Sequence, residues 1–118
     1  MKALFSRQHR LRSQREFKQV LTSAKKLRGQ CISLFYSPNQ LSYARLGISV
    51  SRNNVRQATA RNRLKRIIRS SFRLNQQRLA GYDIVAIGYK GLDQLSNPEL
   101  QMGLEQLWKR LTKQSSNS

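Results

Sequence analysis

The spacing of apolar side chains predicts that the chain begins with a short amphipathic helix. Phe17, Val20 and Leu21 recur at i, i+3 and i+4, the spacing that places side chains on one face of a helix. Ser13 is a suitable N-cap, and Glu16 three residues later completes the capping-box pattern. We therefore predict a first helix that begins after Ser13 and ends near residue 23.

Two segments in which apolar and polar side chains alternate predict strands over residues 31–36 and 43–51. Residues 25–29, which are rich in cations, are predicted to form a basic turn, and residues 37–39 form the turn between the strands. One face of these strands is apolar and is expected to pack against a helix, whereas the other is small, polar and open to a ligand. The apolar set is Ile32, Leu34, Leu46, Ile48 and Val50, and the opposite set is Cys31, Ser33, Phe35, Gly47, Ser49 and Ser51.

The longest amphipathic segment predicts a helix over residues 57–77. At about 100° per residue, its side chains separate into an apolar sector and a cationic sector. The apolar sector contains Ala60, Leu64, Ile67, Ile68, Ser71 and Phe72. The opposite sector contains Arg61, Asn62, Lys65, Arg66, Arg69 and Arg73, with Arg63 on its flank.

The remainder of the chain predicts one more strand and one more helix. After a break at Gly81, the apolar run over residues 82–87 is typical of a strand covered on both faces. Ser96 and Glu99 form a second capping box, with Leu100, Leu104, Leu107, Trp108 and Leu111 as the core stripe of the last helix. The order α-β-β-α-β-α predicts an α+β fold, a two-layer split βαβ sandwich whose long helix joins two parallel strands. We expect one domain over residues 1–112 and a frayed polar tail over residues 113–118.

Charge adds a binding function to this fold. The chain has 23 Lys and Arg against five Asp and Glu, a formal charge of +18, and repulsion of that size usually indicates a polyanionic partner. No acid occurs between Glu16 and Asp83, so the cations stacked along the long helix repel one another unless an anion lies across them. Most of these cations are arginine, whose guanidinium pairs with phosphate and stacks on bases. With Asn62 available for a base edge or a sugar hydroxyl, the pattern predicts an RNA-binding face.

Two aromatic side chains extend this prediction to single-stranded RNA. Phe17 and Phe35 can act as stacking platforms beside the cationic helix, an arrangement that single-stranded nucleic acid favours. Phe35 has small polar neighbours on its strand face, which favours ligand contact. Phe17 has two interpretations, ligand contact and core packing under the first helix, and the sequence leaves both open.

Composition disfavours the other classes of protein. The five acids are scattered, whereas a metal-dependent nuclease needs converging carboxylates, so we expect no catalytic residue and no dedicated metal site in the protein. No apolar run approaches the roughly eighteen residues of a membrane span, and the basic N-terminus lacks the apolar stretch of a secretion signal. A reader of duplex DNA would need a dimerisation motif or a helix-turn-helix, and neither is evident. The single cysteine, Cys31, indicates a reducing cytoplasm and no disulfide-linked partner.

Several motifs together resemble a known family. They are Arg10-Leu11 followed by Glu16-Phe17, the strand before the central motif, the segment 47–56 with Ala58, the run from Arg61-Asn62-Arg63 to Arg69, the segment 82–85, and Leu107-Trp108-Lys109-Arg110 in the last helix. In order and spacing, over about residues 5–112, they are similar to the bacterial ribonuclease P protein subunit. The resemblance implies the ribosomal protein S5 domain 2-like form of the split βαβ sandwich, with a left-handed crossover that departs from the general rule.

The resemblance also implies a function. Ribonuclease P is an endonuclease that removes the 5′ leader of precursor tRNA by metal-assisted hydrolysis, and in bacteria its RNA subunit is the catalyst and uses the Mg²⁺. The protein would be an accessory subunit that binds the catalytic RNA and the leader and holds no tight cofactor. The implied RNA-binding set is Arg52, Arg56, Arg61, Asn62, Arg63, Lys65, Arg66, Arg69 and Arg73. The implied leader cleft is lined by Phe17, Leu21, Phe35, Ser49 and Ser51.

The sequence departs from the family pattern in two places, and two rival functions stay open. Arg52-Asn53 stands where the family often has two lysines, and Ser70 stands where an acid often follows the motif. These departures affect individual contacts. The rivals are a ribosomal-type RNA-binding module without a processing role, and a protein nuclease that acts alone.

Overall fold

The computed structural model of the protein describes residues 10–11 and 14–116. Within them, three α-helices, four strands and one short 3₁₀ helix confirm the predicted α+β class. In chain order the elements are α1 (Gln14–Ser23), β1 (Lys25–Arg28), β2 (Ile32–Pro38), β3 (Arg45–Val50), α2 (Ala58–Asn75), β4 (Tyr82–Gly88), the 3₁₀ helix (Leu92–Gln94) and α3 (Asn97–Ser116).

One prediction of local structure is wrong, because the segment expected to be a basic turn contains strand β1. Leu27 is its only buried side chain, and the three flanking cations are exposed, so the segment lacks the apolar alternation that reveals a strand. β1 pairs with β2 from Lys25↔Tyr36 to Arg28↔Ser33. The hairpin closes where the Gly29 amide donates to the Ile32 carbonyl oxygen at 2.7 Å. The element order is therefore α-β-β-β-α-β-α.

The ends of the predicted elements are also partly revised. β2 continues through Ser37 and Pro38, so the turn placed at residues 37–39 begins two residues later than predicted. α3 ends at Ser116, within the segment 113–118, whose fraying stays a prediction. The capping box of α3 is confirmed, since the Ser96 amide donates to Glu99 Oε1 at 2.9 Å and the Glu99 amide donates to Ser96 Oγ at 3.2 Å. The predicted cap at Ser13 lies outside the described residues.

The four strands form one sheet in the order β1-β2-β4-β3. β2 is antiparallel to β1 and β4, whereas β3 is parallel to β4, which confirms the parallel pair joined by the long helix. β1 and β3 are the two edges of the sheet. The register aligns Lys26, Phe35, Val85 and Gly47 in one row that crosses the sheet from edge to edge.

The main core lies between the sheet and helices α2 and α3. The apolar sector predicted for α2 is confirmed: Leu64, Ile68, Ser71 and Phe72 are buried, and Ala60 and Ile67 pack against the core. The Phe72 and Trp108 rings meet edge to face, with centroids 6.1 Å apart. Trp108 Nε1 donates a buried hydrogen bond of 2.8 Å to Ser71 Oγ, so the indole N–H is satisfied inside the core. This packing leaves the cationic sector of α2 facing away from the core.

A smaller cluster lies on the other face of the sheet, under α1. Leu11, Val20 and Val85 are buried there, and Phe17 and Phe35 pack against them while staying partly exposed. One short helix therefore covers this face incompletely. The sheet face that was predicted to stay open for a ligand is therefore partly covered by α1, and the Phe17 and Phe35 rings remain partly exposed there.

Candidate nucleic-acid interface

Gly47 provides the space that the Phe17 ring occupies. A Cβ atom at position 47 would lie 2.6 Å from Phe17 Cζ, 2.9 Å from Cε1 and 3.2 Å from Leu11 Cβ. A side chain here would therefore push the ring off β3. Because glycine occupies the position, α1 approaches the β3 edge closely and holds Phe17 against the strand.

The Phe17 ring lines a groove that cations from α2 complete. This groove between α1, β3 and α2, hereafter the α1–α2 groove, has a volume of about 310 Å³. Phe17 and Gly47 lie on one side, and Lys65 and Arg69 reach it from α2. The ring packs on the small core cluster, which confirms the core interpretation of Phe17, and it also lines the groove, so ligand contact stays a prediction. The full lining is Arg10, Leu11, Phe17, Leu46, Gly47, Ile48, Lys65 and Arg69.

A second recess continues the cationic surface along α2. It has a volume of about 240 Å³ and is lined by Arg10, Arg66, Arg69, Ser70 and Arg73. Arg69 and Arg10 belong to both recesses, so the two are contiguous. In the part of the chain that the structure describes, no cation of α2 forms an ion pair with an acid. The charge of this face is therefore not neutralised by the protein itself.

The Arg-Asn-Arg motif divides into anchored and exposed side chains. Arg61 Nη1 donates to the carbonyl oxygens of Val55 at 2.9 Å and Arg56 at 2.8 Å, which ties the first turns of α2 to the preceding loop. Arg63 donates to Asn97 Oδ1 and, at 3.3 Å, to the Asp93 carbonyl oxygen, which ties α2 to the start of α3. The exposed members of the predicted RNA-binding set are Arg52, Arg56, Asn62, Arg66 and Arg73.

Of the remaining predicted cleft residues, Phe35 and Ser49 point to the face of the sheet that Phe17 covers. Phe35 is partly buried, and Lys26 Nζ lies 5.3 Å from the centroid of its ring. Leu21 is exposed on α1, and Ser49 is exposed on β3, in register with Ile87. Ser51 is exposed beyond the end of β3, and its Oγ accepts a hydrogen bond of 3.3 Å from the Asn54 amide.

Sequence reasoning missed an ionic network that fixes α1 to the sheet. Arg45 on β3 donates to the buried Asp83 carboxylate from Nε at 2.8 Å and Nη2 at 2.7 Å, and from Nη1 to Glu16 on α1 at 3.1 Å. The hydrogen bond to Asp83 is the largest cause that raises the pKa of Arg45 above its ordinary value. Asn39 Nδ2 also donates to Asp83, at 2.9 Å. The only sequence signal for this network was Asp83 within the apolar run 82–87, because a buried carboxylate needs a partner.

Sequence reasoning also did not assign Arg10 or Lys26 to the site. Arg10 reaches the groove because residues 10 and 11 lie beside β3, where the Leu11 amide donates to the Leu46 carbonyl oxygen at 3.0 Å. Lys26 was placed in a turn, and only the pairing of β1 brings it beside Phe35. Neither placement has a local sequence pattern that would have revealed it.

Among residues 10–11 and 14–116, no group of three or more His, Cys, Asp and Glu side chains could hold a metal ion. No helix in the same residues is long and apolar enough to cross a membrane.

A family model, relatives of known sequence and solved structures all place this chain in the same family. The family model described as Ribonuclease P matches residues 5–112. Proteins named "Ribonuclease P protein component" are similar along nearly the whole chain. The one from Pseudomonas aeruginosa is 48% identical over 108 residues, which cover 91% of this chain and 80% of that protein. The one from Azotobacter vinelandii is 46% identical over 110 residues, which cover 92% of this chain and 85% of that protein.

Solved structures give the same result. The ribonuclease P protein from Thermotoga maritima superposes with a TM-score of 0.76 at 35% identity, covering 86% of this chain and 96% of that chain. A ribonuclease P protein from Staphylococcus aureus has the same fold, with a TM-score of 0.81 at 24% identity and coverage of 87% and 94%. Fold and site together define an α+β protein with a cationic helix beside an aromatic groove. The chain belongs to the ribonuclease P protein family, as the family model and the relatives show.

Proposed function

We propose that this protein is an RNA-binding accessory subunit of ribonuclease P. It binds the catalytic RNA through the cationic face of α2 and holds the 5′ leader of precursor tRNA in the α1–α2 groove. The observation that carries the proposal is the lining of that groove, where Phe17 faces Lys65 and Arg69. An aromatic platform beside paired cations suits single-stranded RNA, because a base stacks on the ring while phosphates meet the charges.

The outward face of α2 suits a different ligand from the groove. Asn62, Arg66 and Arg73 are exposed and lie on a helix surface, outside the α1–α2 groove. A surface of this kind fits the phosphate backbone of a folded RNA, whose affinity comes chiefly from counterion release. Arg61 and Arg63 support this face by fixing the start of α2 to the loop and to α3. The two surfaces can therefore hold the RNA subunit and the leader side by side.

The protein contributes no acid, base or nucleophile under this proposal, and it acts in the cytoplasm. Each of its acids already has a structural contact: Glu16 and Asp83 with Arg45, Glu99 with Ser96, Glu105 with Arg78, and Asp93 with Gln94. Hydrolysis is assigned to the RNA subunit and its Mg²⁺. The protein lowers the requirement for Mg²⁺ because its cations offset the phosphate repulsion between the two RNAs.

The test is cleavage of precursor tRNA by the RNA subunit across a series of Mg²⁺ concentrations, with and without the protein. We expect the protein to restore cleavage at low Mg²⁺. Lys65→Ala/Arg69→Ala should shift the requirement to higher Mg²⁺, whereas Lys109→Ala/Lys113→Ala removes equal charge from α3 and should behave as wild type. If wild type gave no rescue, the proposal would be wrong. Cleavage by protein free of RNA would instead establish a protein nuclease, and recovery of ribosomes in place of one structured RNA would favour the ribosomal-type module.

A further inference from the structure

A further cationic pocket lies at β1, the edge of the sheet away from β3 and α2. It has a volume of about 370 Å³, and we name it the hairpin pocket because the β1–β2 hairpin forms most of it. Its lining is Lys26, Arg28, Gly29, Cys31 and Tyr89. The Tyr89 amide donates to the Cys31 carbonyl oxygen at 2.8 Å, which fixes the end of β4 against the hairpin. The lining contains two cations and no acid, so the pocket suits an anion.

The two cations of this pocket point to the same face of the sheet as the α1–α2 groove. Lys26 is in register with Phe35 and Arg28 with Ser33, and the row from Lys26 through Phe35 and Val85 ends at Gly47, beneath the Phe17 ring. Three strand spacings of about 4.8 Å separate the ends of the row, so the backbone at Lys26 lies about 14 Å from Gly47, which lines the groove. A single strand of RNA can span that distance.

Phe35 lies between the two sites and is already paired with a cation. Its ring is partly exposed, and Lys26 Nζ lies 5.3 Å from the ring centroid. A base stacked on Phe35 would have its phosphate within reach of Lys26 and Arg28. The groove repeats the same combination, with Phe17 beside Lys65 and Arg69. An aromatic ring therefore lies near two cations at both edges of the sheet, at β3 in the α1–α2 groove and at β1 beside the hairpin pocket.

We propose that Lys26 and Arg28 form a second phosphate-binding site, which takes the backbone of the single-stranded RNA whose nearer part occupies the α1–α2 groove. The inference rests on the proposed function and deepens it, because it makes affinity depend on leader length. Cations on an edge strand have a second ordinary role, which is to prevent strands of two molecules from pairing. That role accounts for the charges of β1 but not for the alignment of Lys26 with Phe35.

The experiment measures the affinity of the reconstituted holoenzyme for mature tRNA and for precursors with leaders of about three and about ten nucleotides. Lys26→Ala/Arg28→Ala removes the site. Lys25→Ala/Lys109→Ala is the matched control, because it removes two exposed charges from β1 and α3 without touching the hairpin pocket. Far-UV circular dichroism and the urea midpoint verify that both variants are folded.

We expect wild type to bind the long-leader precursor more tightly than the short-leader one. The site variant should bind the long-leader precursor about tenfold more weakly than wild type, the size expected for loss of charged hydrogen bonds, and the short-leader precursor unchanged. The inference would be overturned if the site and control variants lost equal affinity for the long-leader precursor. It would also be overturned if the site variant kept its affinity, whether or not it began to self-associate. A wild type that gains nothing from the longer leader would also overturn it. A wild type that binds mature tRNA as tightly as both precursors would refute the proposed leader groove itself.

Discussion

Replacing Gly47 by alanine tests the packing that forms the α1–α2 groove. The new methyl group would lie 2.6 Å from Phe17 Cζ, closer than real Cβ contacts, so the ring must move away from β3. Overpacking of this kind costs about 1–3 kcal/mol, and replacement of glycine inside a strand returns about 0.5–1 kcal/mol. We therefore expect a loss of about 1–2 kcal/mol in the free energy of unfolding, measured by urea denaturation.

A double-mutant cycle isolates the cause of this loss. In a Phe17→Ala background the clash is gone, so Gly47→Ala should be close to neutral, which gives a coupling energy of about 1–3 kcal/mol between the two positions. Gly103→Ala is the control, because a Cβ there meets no atom within 4 Å and should stabilise α3 by about 0.5–1 kcal/mol. Equal destabilisation by Gly47→Ala in both backgrounds would refute the placement of Phe17 over Gly47.

The same substitution has a functional consequence. A displaced Phe17 ring changes the α1–α2 groove and leaves the cationic face of α2 intact. Holoenzyme with Gly47→Ala should therefore lose affinity for precursor tRNA while its affinity for the RNA subunit stays within about twofold, since only the groove depends on the ring. Loss of both affinities in a folded variant would contradict the separation of the two surfaces.

Three further predictions concern the core, a helix cap and the cationic face. Ser71→Ala should lower the free energy of unfolding by about 1–3 kcal/mol, because it leaves the buried Trp108 N–H unpaired; a change within error would contradict the 2.8 Å hydrogen bond. Hydrogen bonds from Ser96 lower the pKa of Glu99, so its stabilising effect is present above the unfolded-state pKa and is lost as the pH falls through the folded-state value. Glu99→Ala should therefore flatten the acid side of the pH–stability profile, and an unchanged profile would contradict the cap. Arg69→Ala should make the plot of log affinity for RNA against log salt concentration about one unit less steep, and an unchanged slope would remove Arg69 from the phosphate contacts.

The faces of α2 were predictable from sequence because both rest on local periodicity. Leu64, Ile68 and Phe72 recur at helical spacing, and the structure buries all of them. Strand β1 was not predictable, because its one buried side chain, Leu27, is flanked by exposed cations at a sheet edge. β1 is a strand because it pairs with β2, and its sequence has no alternation of apolar and polar residues that would predict this pairing.

The roles of individual arginines depended on contacts between distant segments. Arg45 looks like any other cation in the sequence, yet it joins Glu16 to Asp83 across three elements. Arg61 and Arg63 belong to the same charged pattern as Arg66, but they donate to backbone and side-chain oxygens of the protein. Periodicity gives the side of the helix on which a guanidinium lies, and only the fold supplies the acceptors within its reach.

Photo-crosslinking of the holoenzyme bound to precursor tRNA tests the central claim most directly. A photoreactive amino acid would replace, one at a time, Ser49 on β3 next to the groove residue Ile48, Arg66 on the outer face of α2, and Met102 on α3, all of which are exposed. The account predicts that position 49 crosslinks to the 5′ leader, position 66 to the RNA subunit, and position 102 to neither. Leader crosslinks at position 66 or 102 with none at position 49 would contradict it.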